Sequence, residues 1–562
     1  MSYFSRKGAM MKKKLYLVGL IFFLGFGGFG ESPRAIAETD LMTDPAKAGP
    51  PLPPAPASGP LPGLFPRSAP PKALWVIERG ELSNADWHLA TVLQGMVNRE
   101  QPRLYLVNAK SESKGDEVFL SYYLKEYGIR DQGRLTLDEA LKKYSGLFKG
   151  YAVFSLAEDW TVNVADTYCA LHDCLPVTED QSVLAQAANL KKMEDFRGRW
   201  QNAESAVAWS LRELFPGCSK QVVASLSPRV HSCRDYFYAH KIFTFYLSAR
   251  GKEYGPLRAL LKKLPAKIPT MGYIARNGLE EWIVEYTLAE SSKFMVPTDL
   301  VPNLSVHSGL PIQPLPEIKQ WSEPPELKGK LGVVFALTDG DNLFLEFEHY
   351  LRPDFWRHPQ RGELKLAWSM APELYELAPG ILRYYYQTRT PNDFFVALSG
   401  AGYTFLSAFR NQEYFAEISV AYMKLTGLDL LWSLDPLLYF TTEDKFIARV
   451  LGPLGAEGYL KGILAGYAPS LNLREWDRPP GYPPILYSRV NYFFSKPETL
   501  IAMIKADAAV IPKRGKIVFY GVNGWEVSYE DLLSIRSRLD RNKIILLSPQ
   551  EAFAIIEKRD NK

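Results

Sequence analysis

The sequence predicts an α/β protein: N-terminal, Rossmann-like α/β subdomains followed by a TIM-like (β/α)8 barrel with some irregularity. Apolar or aromatic runs of strand length recur at Leu331–Leu337, Leu364–Trp368, Phe394–Leu398, Leu428–Trp432, Gly462–Ala465, Ile485–Tyr487, Lys516–Tyr520 and Lys543–Leu547. Helical stretches fit between most of them, at Ala371–Tyr385, Glu417–Thr426, Glu443–Leu451, Pro497–Ala509, Ser528–Leu539 and Pro549–Glu557. The first run lacks polar/apolar alternation, as expected of a strand covered on both faces. The stretch from Pro469 to Pro484 reads as a long loop, so one unit is degenerate. An open, doubly wound sheet is the alternative fold.

The elements before the barrel alternate in the same way. Strands are expected at Ala73–Ile77, Arg103–Val107, Tyr151–Phe154, Ala266–Gly272 and Lys293–Pro297. Helices are expected over Leu82–Arg99, from Thr161 to Tyr168, over most of Gln181–Leu214 and Asp235–Leu247, and over Glu280–Ser291. Proline-rich Pro311–Pro325 marks a boundary. This gives an N-terminal α/β domain over 73–325, made of one or two subdomains, and the barrel over 326–562.

Ahead of both lies a targeting pattern. Arg6, Lys7 and Lys12–Lys14 precede the apolar core Leu15–Phe26, and Ala35-Ile36-Ala37 offers small residues for cleavage, so 1–37 reads as a signal peptide. The segment 38–72 is a proline-rich linker, with eleven prolines between Thr39 and Pro71. No later run reaches the ~20 apolar residues of a membrane span, so the mature chain is expected outside the cytoplasm, secreted or in the cell envelope. A formal charge of +4 with no dense Lys/Arg cluster argues against nucleic acid as a partner. The 30 Phe, 31 Tyr and 12 Trp suit stacking on sugar rings as well as core packing. In an exported chain, Cys169, Cys174, Cys218 and Cys233 suggest two disulfides, with Cys169–Cys174 and Cys218–Cys233 favoured by proximity among three pairings. A zinc site using His172 and His231 is a weaker alternative, because the spacing is irregular.

Chemistry is expected where the barrel strands end. The first strand runs into Thr338-Asp339-Gly340-Asp341-Asn342, two carboxylates separated by one glycine. The next strands lead to Trp368 and Glu373, then Ser399–Tyr403, then Trp432 and Asp435, then Gly466-Tyr467, then Arg489 and Asn491, and then Asn523 and Trp525. Asp339, Asp341 and Glu373 are the catalytic candidates, since glycosidic cleavage needs one protonated and one ionised carboxyl. Asn342, Trp368, Asp393, Tyr403, Trp432, Asp435, Asn523 and Trp525 are the substrate-binding candidates, and Asp393 and Asp435 are also reserve acids. Each has a plainer reading. Asp339 and Asp341 can form an Asx turn, Glu373 can favour a helix start, Asp435 can cap a helix, Trp432 can fill the core, and His307 has no visible companion. No cofactor is expected, with Ca²⁺ or Mg²⁺ at Asp339 and Asp341 as an alternative. No dinucleotide or Walker glycine pattern occurs, and Ser399 lacks a GxSxG elbow.

A resemblance rests on several segments together. They are Leu93–Arg99 (LQGMVNR), Asn163-Val164-Ala165, Arg234-Asp235-Tyr236, Asp299–Val306, Thr338–Asn342, Trp356 with Arg361-Gly362, Trp368–Pro372, Ala378-Pro379, Asn392-Asp393 and Ser399–Tyr403. In these the chain resembles the GxGYxYP putative glycoside hydrolase family over nearly everything after the linker. The resemblance implies a TIM-type C-terminal domain and a carbohydrate substrate. The eponymous motif reads Gly400-Ala401-Gly402-Tyr403-Thr404-Phe405-Leu406, with Phe405 for the second tyrosine and Leu406 for the proline. That substitution removes a hydroxyl and loosens the turn. The expected function is hydrolysis of an extracytoplasmic poly- or oligosaccharide by carboxylates. The alternatives are a non-catalytic glycan-binding envelope protein and a metal-dependent carbohydrate hydrolase or deacetylase.

Overall fold

Three small parallel sheets precede a near-closed parallel barrel. The structure is a computed structural model that describes residues 63–274, 278–318, 320–338, 343–435, 452–455, 458–466, 482–490 and 495–560. The signal peptide, residues 38–62 of the linker, the helix expected at Glu443–Leu451 and most of the loop expected at Pro469–Pro484 lie outside the described residues. Among the described residues, no helix is long and apolar enough to cross a membrane.

The first sheet has the order β2-β1-β3, from β1 (Ala73–Glu78), β2 (Leu104–Val107) and β3 (Arg130–Arg134). The second, β5-β4-β6, is built from β4 (Gly150–Val153), β5 (Cys174–Val177) and β6 (Lys192–Asp195). The third, β10-β9-β7-β8, uses β7 (Val223–Ser225), β8 (Phe243–Phe245), β9 (Ile268–Gly272) and β10 (Lys293–Pro297). Two stretches expected to be largely helical therefore contain strands. β6 interrupts Gln181–Leu214, and β8 follows a helix of only six residues, Arg234–Ala239. β6 reads Lys-Met-Glu-Asp, a partly exposed edge strand with no apolar run to announce it. β3, Arg-Asp-Gln-Gly-Arg, hides in the same way.

The barrel strands are β11 (Leu331–Thr338), β12 (Leu366–Met370), β13 (Asp393–Leu398), β14 (Leu430–Ser433), β15 (Gly462–Ala465), β16 (Ile485–Tyr487), β17 (Lys516–Asn523) and β18 (Ile544–Leu547). Each falls on an expected run. The wall runs β16-β15-β14-β13-β12-β11-β17, and a parallel bridge from Ser488 to Phe519 nearly closes the ring. The irregularity lies at the eighth strand. β17 pairs along the whole of β11, so β18, opposite Leu331–Val334, must share the other edge with β12, opposite Ala336–Leu337. Trp432 on β14 meets Phe519 on β17 with ring centroids 5.4 Å apart, and because those strands are not neighbours the contact crosses the barrel interior. Trp432 is fully buried there and fills the core, the plainer of its two readings.

The four cysteines are free thiols, which corrects the expected disulfides. Cys169 and Cys174 are adjacent, with their sulfurs 2.8 Å apart. Cys218 donates to the Leu214 carbonyl, while Cys233 sits beside Thr298 and Asp299, so those two thiols serve different neighbourhoods. His172 stacks on Tyr168 and His231 lies against His88, and no cluster able to hold a metal occurs among the described residues.

Residues 61–562 form one unit, and its N-terminal motifs are the joints. The helix Asn84–Asn98 crosses the helix Arg234–Ala239 at Gly95, where a Cβ would lie 2.6 Å from the Asp235 carbonyl oxygen. On either side of Gly95, Gln94 donates to Asn303 Oδ1 (2.7 Å) and Asn98 to Ser305 Oγ (2.9 Å). Asp166 accepts from His88 Nε2 and from the buried Arg234 guanidinium, tying the second sheet's helix to both others. His307 is structural: its Nδ1 meets the Tyr123 hydroxyl at 2.7 Å, and burial lowers its pKa to about 3. Gly95→Ala should lose about 1–3 kcal/mol of stability, because the obstruction is backbone and cannot rotate away. Urea unfolding monitored by circular dichroism measures this, and an unchanged midpoint would refute it.

Candidate functional site

The turn after β13, at the carboxyl end of the barrel, is paired with β10, the edge strand of the third sheet. Two backbone hydrogen bonds form the junction, Met295 N to Tyr403 O at 2.8 Å and Tyr403 N to Met295 O at 2.7 Å. Beside them, Leu343 N donates to the carbonyl of Pro297, the last residue of β10, at 3.4 Å.

The segment Gly400–Phe405 makes the junction by close approach. Gly402 has φ +151°, and a Cβ there would sit 2.7 Å from the Phe294 ring and 2.8 Å from the Met295 carbonyl oxygen. Ser419 Oγ holds the turn from below by accepting from Ala401 N. Asp435 holds its far side, accepting from Ser407 N at 2.7 Å and Ser407 Oγ at 2.9 Å. Phe405, which replaces the motif's second tyrosine, packs edge-on against Trp282 and Tyr403 and is buried. Its position requires a ring and makes no use of a hydroxyl.

Tyr403 is buried, and its hydroxyl donates to Glu281 Oε1 at 3.2 Å. Glu281 belongs to the helix Gly278–Glu290, which connects β9 to β10. It is partly exposed, and a second phenol, Tyr273, also hydrogen-bonds it. One turn further on, Glu285 is wholly buried with neither carboxylate oxygen bonded. Burial and then the neighbouring Glu281 charge raise the Glu285 pKa well above the usual range. Burial raises that of Glu281 as well, against the pull of the two phenols. Sequence reasoning placed this helix but missed both acids. The available signal was an acid at 285, on a face otherwise carrying Val284 and Leu288.

The remaining sequence candidates are dispersed. Asp339, Asp341 and Asn342 lie outside the described residues. They connect Thr338, whose carbonyl accepts from Gly524 N at 2.7 Å, to Leu343 at the Pro297 contact. Glu373 is 3% exposed, close to Tyr422, and burial pushes its pKa up to about 8. It has the ionisation of a general acid but is enclosed. Trp368 and Asp393 are corrected as ligand-binding residues. Asp393 opens β13 at the barrel's opposite end, where it accepts from the Trp368 indole and pairs with Arg361, and neither Trp368 nor Asp393 is exposed. Trp432 is corrected likewise, as core. Asn523 is buried and uses its Oδ1 to fix the Trp525 amide. Trp525 is 46% exposed, stacked on Phe344 with ring planes within 7° and resting on His349.

Three family models match the chain: "GxGYxYP_N second domain" over 148–218, "GxGYxYP third domain" over 220–309 and "GxGYxYP putative glycoside hydrolase C-terminal domain" over 329–556. These ranges hold the second sheet, the third sheet and the barrel. Among solved structures, the chain is similar to a crystal structure described as a putative hydrolase from Bacteroides thetaiotaomicron VPI-5482. The TM-score is 0.75 and the identity 21%, over 90% of this chain and 98% of that one. At that identity the likeness is one of fold. No curated protein matches.

Glu373 gives a pH signature. The folded chain keeps its proton to about pH 8, while the unfolded chain releases it near 4.5, so this group's stabilising effect is complete below about 4.5 and is lost as pH rises to 8. Glu373→Gln should match the native chain at pH 4.5 and exceed it at pH 8 by up to ~4 kcal/mol. Thermal melts at both pH values test this, and an equal difference at the two would contradict it.

Proposed function

Because the chain belongs to the GxGYxYP family, we propose that it hydrolyses glycosidic bonds of an extracytoplasmic poly- or oligosaccharide. The site would lie where the turns at the barrel's carboxyl end meet the edge of the third sheet. The observation carrying this reading is the exposed Trp525–Phe344 stack, whose Phe344 follows Asp339 and Asp341 closely in the chain. β11 and β17 pair along their full lengths, so the two strands end side by side at Thr338 and Asn523. An indole face held by Phe344, His349 and the Asn523 turn is a rigid platform for the apolar face of a sugar ring.

In this reading Asp339 or Asp341 supplies the ionised carboxylate, as nucleophile or as base toward water. One of the two orients the other, since two acids one residue apart are too close in the chain to flank a sugar unaided. The platform holds the ring on the adjacent side. Export, read from residues 1–37, would place the enzyme where polysaccharides are met.

Asp341→Asn should lower turnover of an oligosaccharide substrate at least ~10²-fold with the melting temperature unchanged. Trp525→Ala should raise KM about tenfold while kcat stays within twofold, equivalent to ~1.4 kcal/mol of stacking. Screening the purified protein on bacterial and plant polysaccharides supplies the assay. Full activity in Asp341→Asn would remove that residue from the mechanism.

A further inference from the structure

We infer that Glu281 and Glu285 form a pH-sensitive latch, which holds the helix Gly278–Glu290 of the third sheet on the barrel turn Gly400–Phe405 and releases it in alkaline solution. The device belongs to the joint and does not depend on what the barrel binds or cleaves.

The helix meets the turn and the residues after it through three contacts. Tyr403 donates its hydroxyl to Glu281 Oε1 at 3.2 Å. Phe405 lies edge-on to Trp282 with ring centroids 6.2 Å apart. Arg410 N donates to the Ala289 carbonyl at 3.2 Å. Tyr273, just after β9, is a second phenol on the Glu281 carboxyl. That carboxyl is therefore enclosed between a phenol of its own domain and a phenol of the barrel.

Glu285, one turn along the same helix stripe, has no such support. It is wholly buried beside Val284 and Leu288, and neither carboxylate oxygen has a hydrogen-bond partner among the described residues. Other buried acids of this molecule are tied down. Asp116 accepts from Asn108 N and Asn303, Asp166 from His88 and Arg234, and Glu280 from Ser248 and Ala249 N. A buried carboxyl without donors is stable only in its neutral form. Once ionised it must be met by water, and water reaches it when the helix lifts. A leucine would fill the same space at every pH, so the carboxyl sets a pH limit on the joint that packing alone would not.

Among the described residues, the titratable groups facing Glu281 are Tyr273 and Tyr403, and the group facing Glu285 is Glu281. Of the cations on neighbouring elements, Arg258 faces Glu290, the Lys293 ammonium donates to the Leu261 and Ser291 carbonyls, and Arg410 is exposed. Burial raises both carboxyls above the usual range, and the Glu281 charge adds to the rise at Glu285. Each group therefore binds its proton more tightly in the folded chain than in the unfolded one. The stabilising effect is complete below about pH 4.5 and is lost as pH climbs through the raised values. The loss falls on the helix that carries both acids.

Hydrogen exchange read by mass spectrometry tests this on the full-length protein, in steps from pH 6 to pH 10 and corrected for the intrinsic rate at each pH. In wild type, peptides covering 278–290 and 400–407 should lose protection by at least about tenfold across the series, while β12 and β13 stay within about twofold. Glu285→Gln and Glu285→Leu, which cannot ionise, should keep the junction protected at the alkaline end, and either one suffices if the other fails to fold. A wild type with no selective loss at the junction would overturn the latch, and so would a folded variant that loses protection as wild type does. Neither result bears on glycan hydrolysis, which the polysaccharide screen measures separately.

Discussion

The pair of backbone hydrogen bonds between Met295 and Tyr403 is the constraint on which the rest of the arrangement depends. It is available only because Gly402 brings its backbone to a distance that any Cβ would block. Through it, a turn leaving one sheet is paired with an inner residue of a strand in another. The turn is thereby fixed along the edge of the third sheet. Everything at the junction inherits its position from that bridge: Tyr403 over Glu281, Phe405 against Trp282, and Leu343 at the Pro297 carbonyl. The family's eponymous glycines and tyrosine thus build a joint.

The N-terminal motifs work in the same way. Gln94, Gly95 and Asn98 occupy one helix face and meet Asn303, Asp235 and Ser305, which come from two other motifs. Each contact spends a polar side chain on a buried partner, so loss of either member leaves an unpaired group in the interior. That cost gives these segments a structural reason for their composition. It also separates them from Glu285, whose burial has no such return inside the fold.

The barrel was legible because its strands are continuous apolar runs, and all eight fall where the sequence placed them. β3 and β6 were not, being short, polar and at sheet edges, where water takes the place of a second apolar face. The aromatic rim was over-read. Trp368 and Trp432 sit near strand ends in the sequence, but the pleat turns Trp432 across the interior to Phe519 and buries Trp368 against Trp356 and Tyr350. A run buried on both faces carries no alternation to say which way an indole points. Asp393 misled for a related reason: it opens its strand where the candidates at the active rim close theirs. Glu281 lies far from the barrel in sequence, and only the folded junction brings it to Tyr403.

The central claim is that sugar is bound where the third sheet and the barrel face each other. A crystal structure with an oligosaccharide product soaked in addresses it directly. The account predicts a ring stacked on the Trp525 indole. A saccharide lodged elsewhere, with that junction empty, would contradict it.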